Sequence, residues 1–315
     1  MRLSVPGNIL LLGEYAVLEE GGIGLAVAVD RRVVVTGRPA AAFEVHGAWP
    51  GGSFRWTPAE PGASGLVTSV VGTLEAEAAL ADPALADPGA LRVRIDIDSS
   101  AFFDASGRKT GLGSSAAAAA GLTAALLAAA GGAPPGPAAA ELAVRAHRGA
   151  QGGRGSGYDV LCSWHGGAGV FRGGETPVWE PRVFGERRRL FLYPGPQPVK
   201  TLTAVMRYAA WKKGNAGAAR TFLEESNERV LAFLSAATAG ESAARWSACR
   251  ELGIQLGDAI GVPARMSPPP GLDPAWCKPV GAGNELGVCL VPEEAAAPAG
   301  VSAFSISPEG IRWEG

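Results

Sequence analysis

Histidine, cysteine and methionine are scarce in this chain of 315 residues, numbering three, four and three. His46, His147 and His165 are scattered, and no cysteine neighbours them at metal-site spacing, which argues against a zinc centre. Cys162, Cys249, Cys277 and Cys289 include no close pair, so free thiols in a reducing cytoplasm are the expectation. An excess of either charge is also missing: 28 basic against 30 acidic side chains leave a net charge of −2, and the balance demands neither nucleic acid nor an anionic membrane as partner. The opening MRLSVPGNILLLGEY is interrupted by Pro6 and Asn8 and closed by Glu14, which fails as a secretory signal. Ala116 to Ala130 is apolar over too few residues to span a bilayer. No Walker A pattern occurs anywhere.

Glycine and proline are abundant, at 45 and 24 residues, alongside 47% hydrophobic and 18% charged residues. That balance describes a globular chain rich in turns, with too much apolar surface for disorder. The length suffices for about two domains with their own cores. Buried-strand patterns run through Asn8 to Leu12, Gly24 to Gly37 and Leu91 to Asp98. Pro39 to Gly65, dense in glycine, proline and tryptophan, reads as an excursion before a helix over Leu66 to Leu80. Ser114 to Ala130 reads as a helix capped by its serines and stopped by Gly131-Gly132, and Pro137 to Gln151 as another. Gly166 to Arg172 reads as a strand, and the boundary placed in the Gly-, Pro- and Arg-rich stretch after it gives domains of 1–180 and 181–315. Beyond it, Arg189 to Tyr193 is expected as a short strand, followed by helices over Thr201 to Lys213, Asn215 to Thr238 and Ala243 to Ile260. Strands over Lys278 to Gly281, Leu286 to Val291 and Val301 to Ile306 end the chain. The elements are segregated rather than alternating, an α+β class in both halves.

The most informative segment is KTGLGSSAAAAAG, Lys109 to Gly121. Gly111 and Gly113 permit backbone conformations that other residues resist, and they stand just before Ser114 and Ser115 at the helix start. Amides of Leu112 to Ala116 at the positive end of the helix dipole would form a phosphate cradle, to which Lys109 adds a full charge. The serine hydroxyls would cap the helix or contact a phosphate-bound metal, Ser114 being the one assigned as ligand. The plain alternative is a tight turn that opens a core helix. The functional rival is a dinucleotide fingerprint over Gly111, Gly113 and Ala116. Against it, the preceding strand ends near Asp98 and no strand closing on an acid follows about 20 residues on.

Three separated segments, SVPGNILLLGEYAVL (Ser4 to Leu18), KTGLGSSAA and KPVGAGNELGVCL (Lys278 to Leu290), together resemble the galactokinase, homoserine kinase, mevalonate kinase and phosphomevalonate kinase (GHMP kinase) superfamily. AQGGRGSGYDVLCSWHGG, Ala150 to Gly167, and GEYAVL look most like its phosphomevalonate kinase branch. The resemblance implies a two-domain α+β architecture, with a ribosomal protein S5 domain 2-like N-terminal domain and a ferredoxin-like C-terminal one. It also implies ATP as co-substrate, with Mg2+, along Lys109, Gly111, Leu112, Gly113, Ser114, Ser115 and Ala116, and transfer of the γ-phosphoryl group to phosphomevalonate. Asp159 matches the aspartate that faces the acceptor and, with Lys109, makes the catalytic set. Acceptor contacts are expected from Asn8, Glu14, Gln151, Arg154, Ser156, Lys200, Thr201 and the turn Gly281, Ala282, Gly283, with Arg148 a lesser cation.

The sequence also departs from the family. Asn8 stands where lysine is common. His147 and Arg148 occupy the helix region that carries a metal-binding glutamate in mevalonate kinases, so no carboxylate metal ligand is assigned. Asn284-Glu285-Leu286 replaces the Gly-Gly-Asp common in the third motif. Mevalonate kinase, another small-molecule kinase of this superfamily and a catalytically silent nucleotide sensor stay open as alternatives. The expected setting is a cytoplasmic monomer or homodimer with no nucleic-acid or membrane partner.

Overall fold

A computed structural model describes residues 1–81, 91–184, 188–196, 201–292 and 301–314. The chain divides into two compact units. One comprises 1–8, 28–167 and 307–315, the other 9–27 and 168–306.

In the first unit, β1 (Arg2–Leu12) and β2 (Ile23–Pro39), each shared in part with the second, join β3 (Glu44–Trp49), β4 (Gly52–Trp56), β5 (Val93–Asp98) and β12 (Arg312–Glu314). The order is β12-β1-β2-β5-β3-β4, with β3 parallel to β5 and the pairs β1–β12, β2–β5 and β3–β4 antiparallel. Val33 and Val35 alternate with less buried residues along β2 and, with Leu3, Val5 and Ile95, build the core. Among the described residues four α-helices belong to this unit: α1 (Gly65–Ala81), α2 (Ser114–Gly131), α3 (Ala139–Ala150) and α4 (Tyr158–His165). Alanine is the best helix former and the slimmest side chain after glycine, so α2 is both helical and able to sit in the core. At Gly121 a Cβ would come within 2.8 Å of Val35 Cγ2, which measures how close helix and sheet lie. By length and composition α2 could cross a membrane, a longer apolar stretch than Ala116 to Ala130 suggests, but 72% of it is buried inside the protein.

In the second unit, the leading end of β2 pairs antiparallel with β6 (Ala168–Arg172), and β6 with β7 (Val178–Arg182). A separate antiparallel sheet runs β11 (Ser302–Phe304), β8 (Arg188–Pro194), β10 (Leu286–Pro292), β9 (Cys277–Val280). Helices α5 (Thr201–Gly214), α6 (Ala216–Leu234) and α7 (Ala239–Ile260) share a core of Tyr208, Phe222, Leu252, Leu256 and Ile260. Thr238 opens α7 rather than closing α6. Its side chain accepts from the Glu241 amide while the Glu241 carboxylate accepts from the Thr238 amide, a reciprocal capping box.

Cys277 and Cys289 are cross-strand partners in the β9–β10 hairpin and form a disulfide, contrary to the expectation of free thiols. Reducing it is expected to destabilise the second unit by about 3 kcal/mol, the loop-closure entropy of so short a bridge. Denaturation with and without reductant measures this, and coincident curves would show that the bridge contributes nothing.

Candidate active site

Two helix starts in the first unit are built alike. At α2, Gly111 and Gly113 take φ of +75° and +76°, the left-handed region that favours glycine. The Asn8 amide donates to the Leu112 carbonyl (2.9 Å), and Asn8 Nδ2 donates to Ser163 Oγ (3.0 Å). Asn8 is only 3% exposed, so it braces the loop from behind instead of facing a ligand. Gly113 is the N-cap, without any side-chain cap, and the two serines lie inside the first turn. This corrects the reading of Ser114 and Ser115 as caps. It also leaves the amides at the positive end of the dipole without a side-chain acceptor, the condition for binding an anion. Lys109 is exposed and makes no ion pair among the described residues.

Gly113 has a second constraint, because a Cβ there would fall 2.2–2.7 Å from the side chain of Asn8. Gly113→Ala is therefore expected to displace the loop and, at about 1–3 kcal/mol of backbone strain, to weaken binding of the ATP analogue AMPPNP by about tenfold or more. Titration calorimetry checks this, and unchanged affinity would separate the loop from the nucleotide.

At α4 the N-cap is Gly157, at φ +86° and again without a side-chain cap. Asp159 is the second residue of the helix, not its cap. Its side chain is 23% exposed and its Oδ1 accepts from the Val160 amide (2.9 Å). The preceding turn is shaped by Arg148, whose Nε and Nη2 donate to the carbonyls of Gly155 (3.0 Å) and Ser156 (2.5 Å). Those bonds engage the guanidinium with backbone, which removes Arg148 as a candidate cation for a ligand. Ser156 is buried, with its hydroxyl accepting from the Tyr158 amide (3.4 Å). Arg154 is exposed and has no ion-pair partner among the described residues. Burial, and secondarily the charge of Asp159, push the Cys162 thiol well up, which leaves it protonated and inert.

His147 links the two starts. Its Nδ1 is 3.5 Å from Asp159 Oδ2, while its Nε2 is 3.3 Å from Ser115 Oγ and 3.3 Å from Gln151 Nε2. Asp159 and Ser115 are each the second residue of their helix, so both first turns meet at one imidazole. Sequence reasoning noted His147 only as the absence of a carboxylate. The signal available was its i, i+4 spacing from Gln151 at the end of α3.

The remaining expected contacts lie in the second unit or outside the described residues, where Lys200 falls. Glu14 is paired with Lys278, whose ammonium also donates to the carbonyls of Leu11 (2.8 Å) and Pro279 (2.8 Å) and sits 5.5 Å from the ring centroid of Trp246. Lys278 is 2% exposed, and burial pushes the Glu14 carboxyl above its ordinary range while Lys278 pulls it back. The charge of Glu14 is thus engaged inside its unit and not presented as an acceptor contact. Gly281 turns the β9–β10 hairpin at φ +75°, and the Ala282 carbonyl accepts from Tyr15 Oη (2.7 Å). Gly283 lies in the same turn, and Thr201 is the exposed first residue of α5.

The α2 start, with amides that lack a side-chain cap, is thus joined through one imidazole to a partly exposed carboxylate, an arrangement chemically suited to a phosphate group. Residues 66–167 match the family described as the GHMP kinases N terminal domain. The Lin0012 protein from Listeria innocua has a similar solved structure, with a TM-score of 0.75 at 18% identity over 99% of each chain. Streptococcus pneumoniae phosphomevalonate kinase in complex with phosphomevalonate and AMPPNP is similar at a TM-score of 0.68 and 15% identity, over 92% of each chain. Methanococcus jannaschii mevalonate kinase follows at 0.65 and 18%, over 93% of this chain and 91% of that one. At these identities the structural likeness is one of fold. No curated protein sequence matches the chain. The matched segment, running from α1 through α4, is thus similar to the N-terminal domain of the GHMP kinases, and the whole chain shares its fold with kinases of that group.

Proposed function

We propose that the protein is an ATP-dependent kinase that phosphorylates 5-phosphomevalonate to 5-diphosphomevalonate. The observation that carries this reading is the meeting of two glycine-capped helix starts at His147, that of α2 with amides free to cradle an anion and that of α4 bearing Asp159. The choice of acceptor is supported by the likeness of Ala150 to Gly167 to phosphomevalonate kinases, and by the fold shared with an enzyme crystallised with phosphomevalonate.

In this reading an oxygen of the acceptor phosphate forms a bond to the γ-phosphorus as the bridging bond to the β-phosphate breaks, releasing ADP. The α2 amides and Lys109 stabilise the charge on the transferring and leaving groups. Arg154 offsets the charge of the acceptor phosphate. Asp159 orients the attacking group and accepts any proton it still carries.

Among the described residues no group of three or more His, Cys, Asp and Glu side chains could hold a metal. The residues therefore fit magnesium that enters with the nucleotide, Ser114 Oγ adding one oxygen donor to those of phosphate and water. When bound, it shields the β- and γ-phosphate oxygens.

Coupled ADP-release assays with phosphomevalonate, mevalonate, homoserine and galactose test the proposal. Turnover with phosphomevalonate is expected. Turnover confined to a non-phosphorylated acceptor overturns the choice of substrate, and AMPPNP binding without turnover on any of the four points to a silent sensor.

A further inference from the structure

We propose that His147 is a positioning residue, which sets the Asp159 carboxylate against the phosphate-binding turn and makes the two halves of the first unit's site one hydrogen-bonded assembly. The inference rests on the reading of Asp159 as the group that faces the acceptor.

His147 is 3% exposed and lies in the last turn of α3, so its ring cannot swing out to solvent without disturbing the core. Each of its nitrogens has a partner of opposite character. An ionised carboxylate only accepts, so the nitrogen beside Asp159, Nδ1, carries the hydrogen. That leaves the Nε2 lone pair to accept from the Ser115 hydroxyl and the Gln151 amide, both at 3.3 Å. One tautomer satisfies all three contacts, and fixing a tautomer is how a buried imidazole orients a neighbouring group. Asp159 Oδ1 is held by its own helix through the Val160 amide, so His147 supplies the constraint on Oδ2. The 3.5 Å separation is long for a hydrogen bond, and catalytic contacts commonly shorten once ligands are in place.

The linkage has a functional consequence. A phosphate drawn into the α2 turn presses on the residues of that turn, Ser115 among them, and the imidazole passes any shift to Asp159. Loss of the ring should then misplace the carboxylate while leaving the α2 amides intact.

The test uses the full chain with His147→Ala, His147→Asn and His147→Gln, beside Asp159→Asn. An Asn amide reproduces the Nδ1 donor, and a Gln amide reaches the Nε2 position. His147→Ala is expected to lower kcat about 10–100-fold, the range for a small misplacement of a reacting group, with little change in the KM for ATP. His147→Asn is expected to recover most of the loss and His147→Gln little. Equal behaviour of Asn and Gln, or a loss confined to KM for ATP, overturns the proposal.

Isotope-labelled histidine NMR supplies a readout that needs no acceptor, and with three histidines in the chain the signals can be assigned by single substitutions. The expected result is a hydrogen held on Nδ1 of His147, a preference lost when Asp159 is replaced by Asn. A hydrogen on Nε2 in the unsubstituted protein overturns the proposal even if turnover is normal. The expected NMR pattern with no turnover on any acceptor instead overturns the kinase reading alone.

Discussion

Asp159→Asn is expected to lower turnover by about 100-fold or more, the lower range of what a positioned base contributes, while AMPPNP affinity stays nearly unchanged. Asparagine keeps the shape of the side chain and can still accept from the Val160 amide, so the variant removes charge and basicity without removing bulk. The acceptor decides how the deficit depends on pH. A phosphate monoester sheds its second proton near pH ~6. Above that value the attacking oxygen arrives already deprotonated, whereas below it a proton must be taken. The gap between the variant and the parent is therefore expected to widen as pH falls through that range. Steady-state assays across it make the comparison. A large deficit that does not vary with pH assigns Asp159 to orientation alone, and near-normal turnover removes it from the mechanism.

Lys278→Met is expected to have the largest effect on stability. All three ammonium hydrogens of Lys278 have acceptors, in Glu14, Leu11 and Pro279, and the substitution deletes them while leaving Glu14 buried. Breaking one side of a buried pair typically costs about 3–5 kcal/mol, which in a unit of this size lowers the melting temperature by about 10 °C or more. Replacing both partners, as in Lys278→Met with Glu14→Leu, is expected to restore much of the loss, because an apolar pair of similar volume removes the stranded charge. The sign of the pH dependence follows from the carboxyl left behind. Burial already raises Glu14, and without Lys278 the folded state binds a proton that the unfolded chain releases. The single variant is thus least impaired in acid and loses stability as pH rises through the Glu14 titration. Thermal melts over a pH series would show this, and a deficit independent of pH would mean that Glu14 escapes to solvent.

Helices with a clear period or composition were legible in the sequence. The alanine run gave α2 to within a residue, and the serine and glycine spacing gave the glycine turn that precedes it. The excursion between Pro39 and Gly65 was not legible as β3 and β4, and there is a physical reason. Gly47 pairs across the ladder with Phe54, and Gly52 with Trp49, each aromatic ring lying where a glycine Cβ would stand. Gly287 and Tyr193 repeat the arrangement in the other unit. Glycines that punctuate a sequence as turn signals are in these places strand residues roofed by a partner's ring. At the site, the glycine turns were visible because their spacing is local, whereas Asp159 alone reads as a helix cap and was singled out only by the resemblance to the kinase superfamily. The linkage through His147 and the engagement of Glu14 by Lys278 were not visible, since each depends on side chains that meet only after folding. The cross-strand bridge between Cys277 and Cys289 was hidden for a related reason, as a separation of 12 residues says nothing until a hairpin sets the register.

The strand that flanks β1 in the sheet of the first unit lies about 310 residues further along the chain. Arg312 to Glu314 pair with Arg2 to Ser4, and Arg32 reaches Ser4 at one end of the chain and Ser307 and Gly310 at the other. On the ribosome, the segment carrying both helix starts would thus emerge well before the residues that seal its edge. Until those residues emerge, the nascent chain exposes the open flank of β1, a surface prone to recruit stray strands.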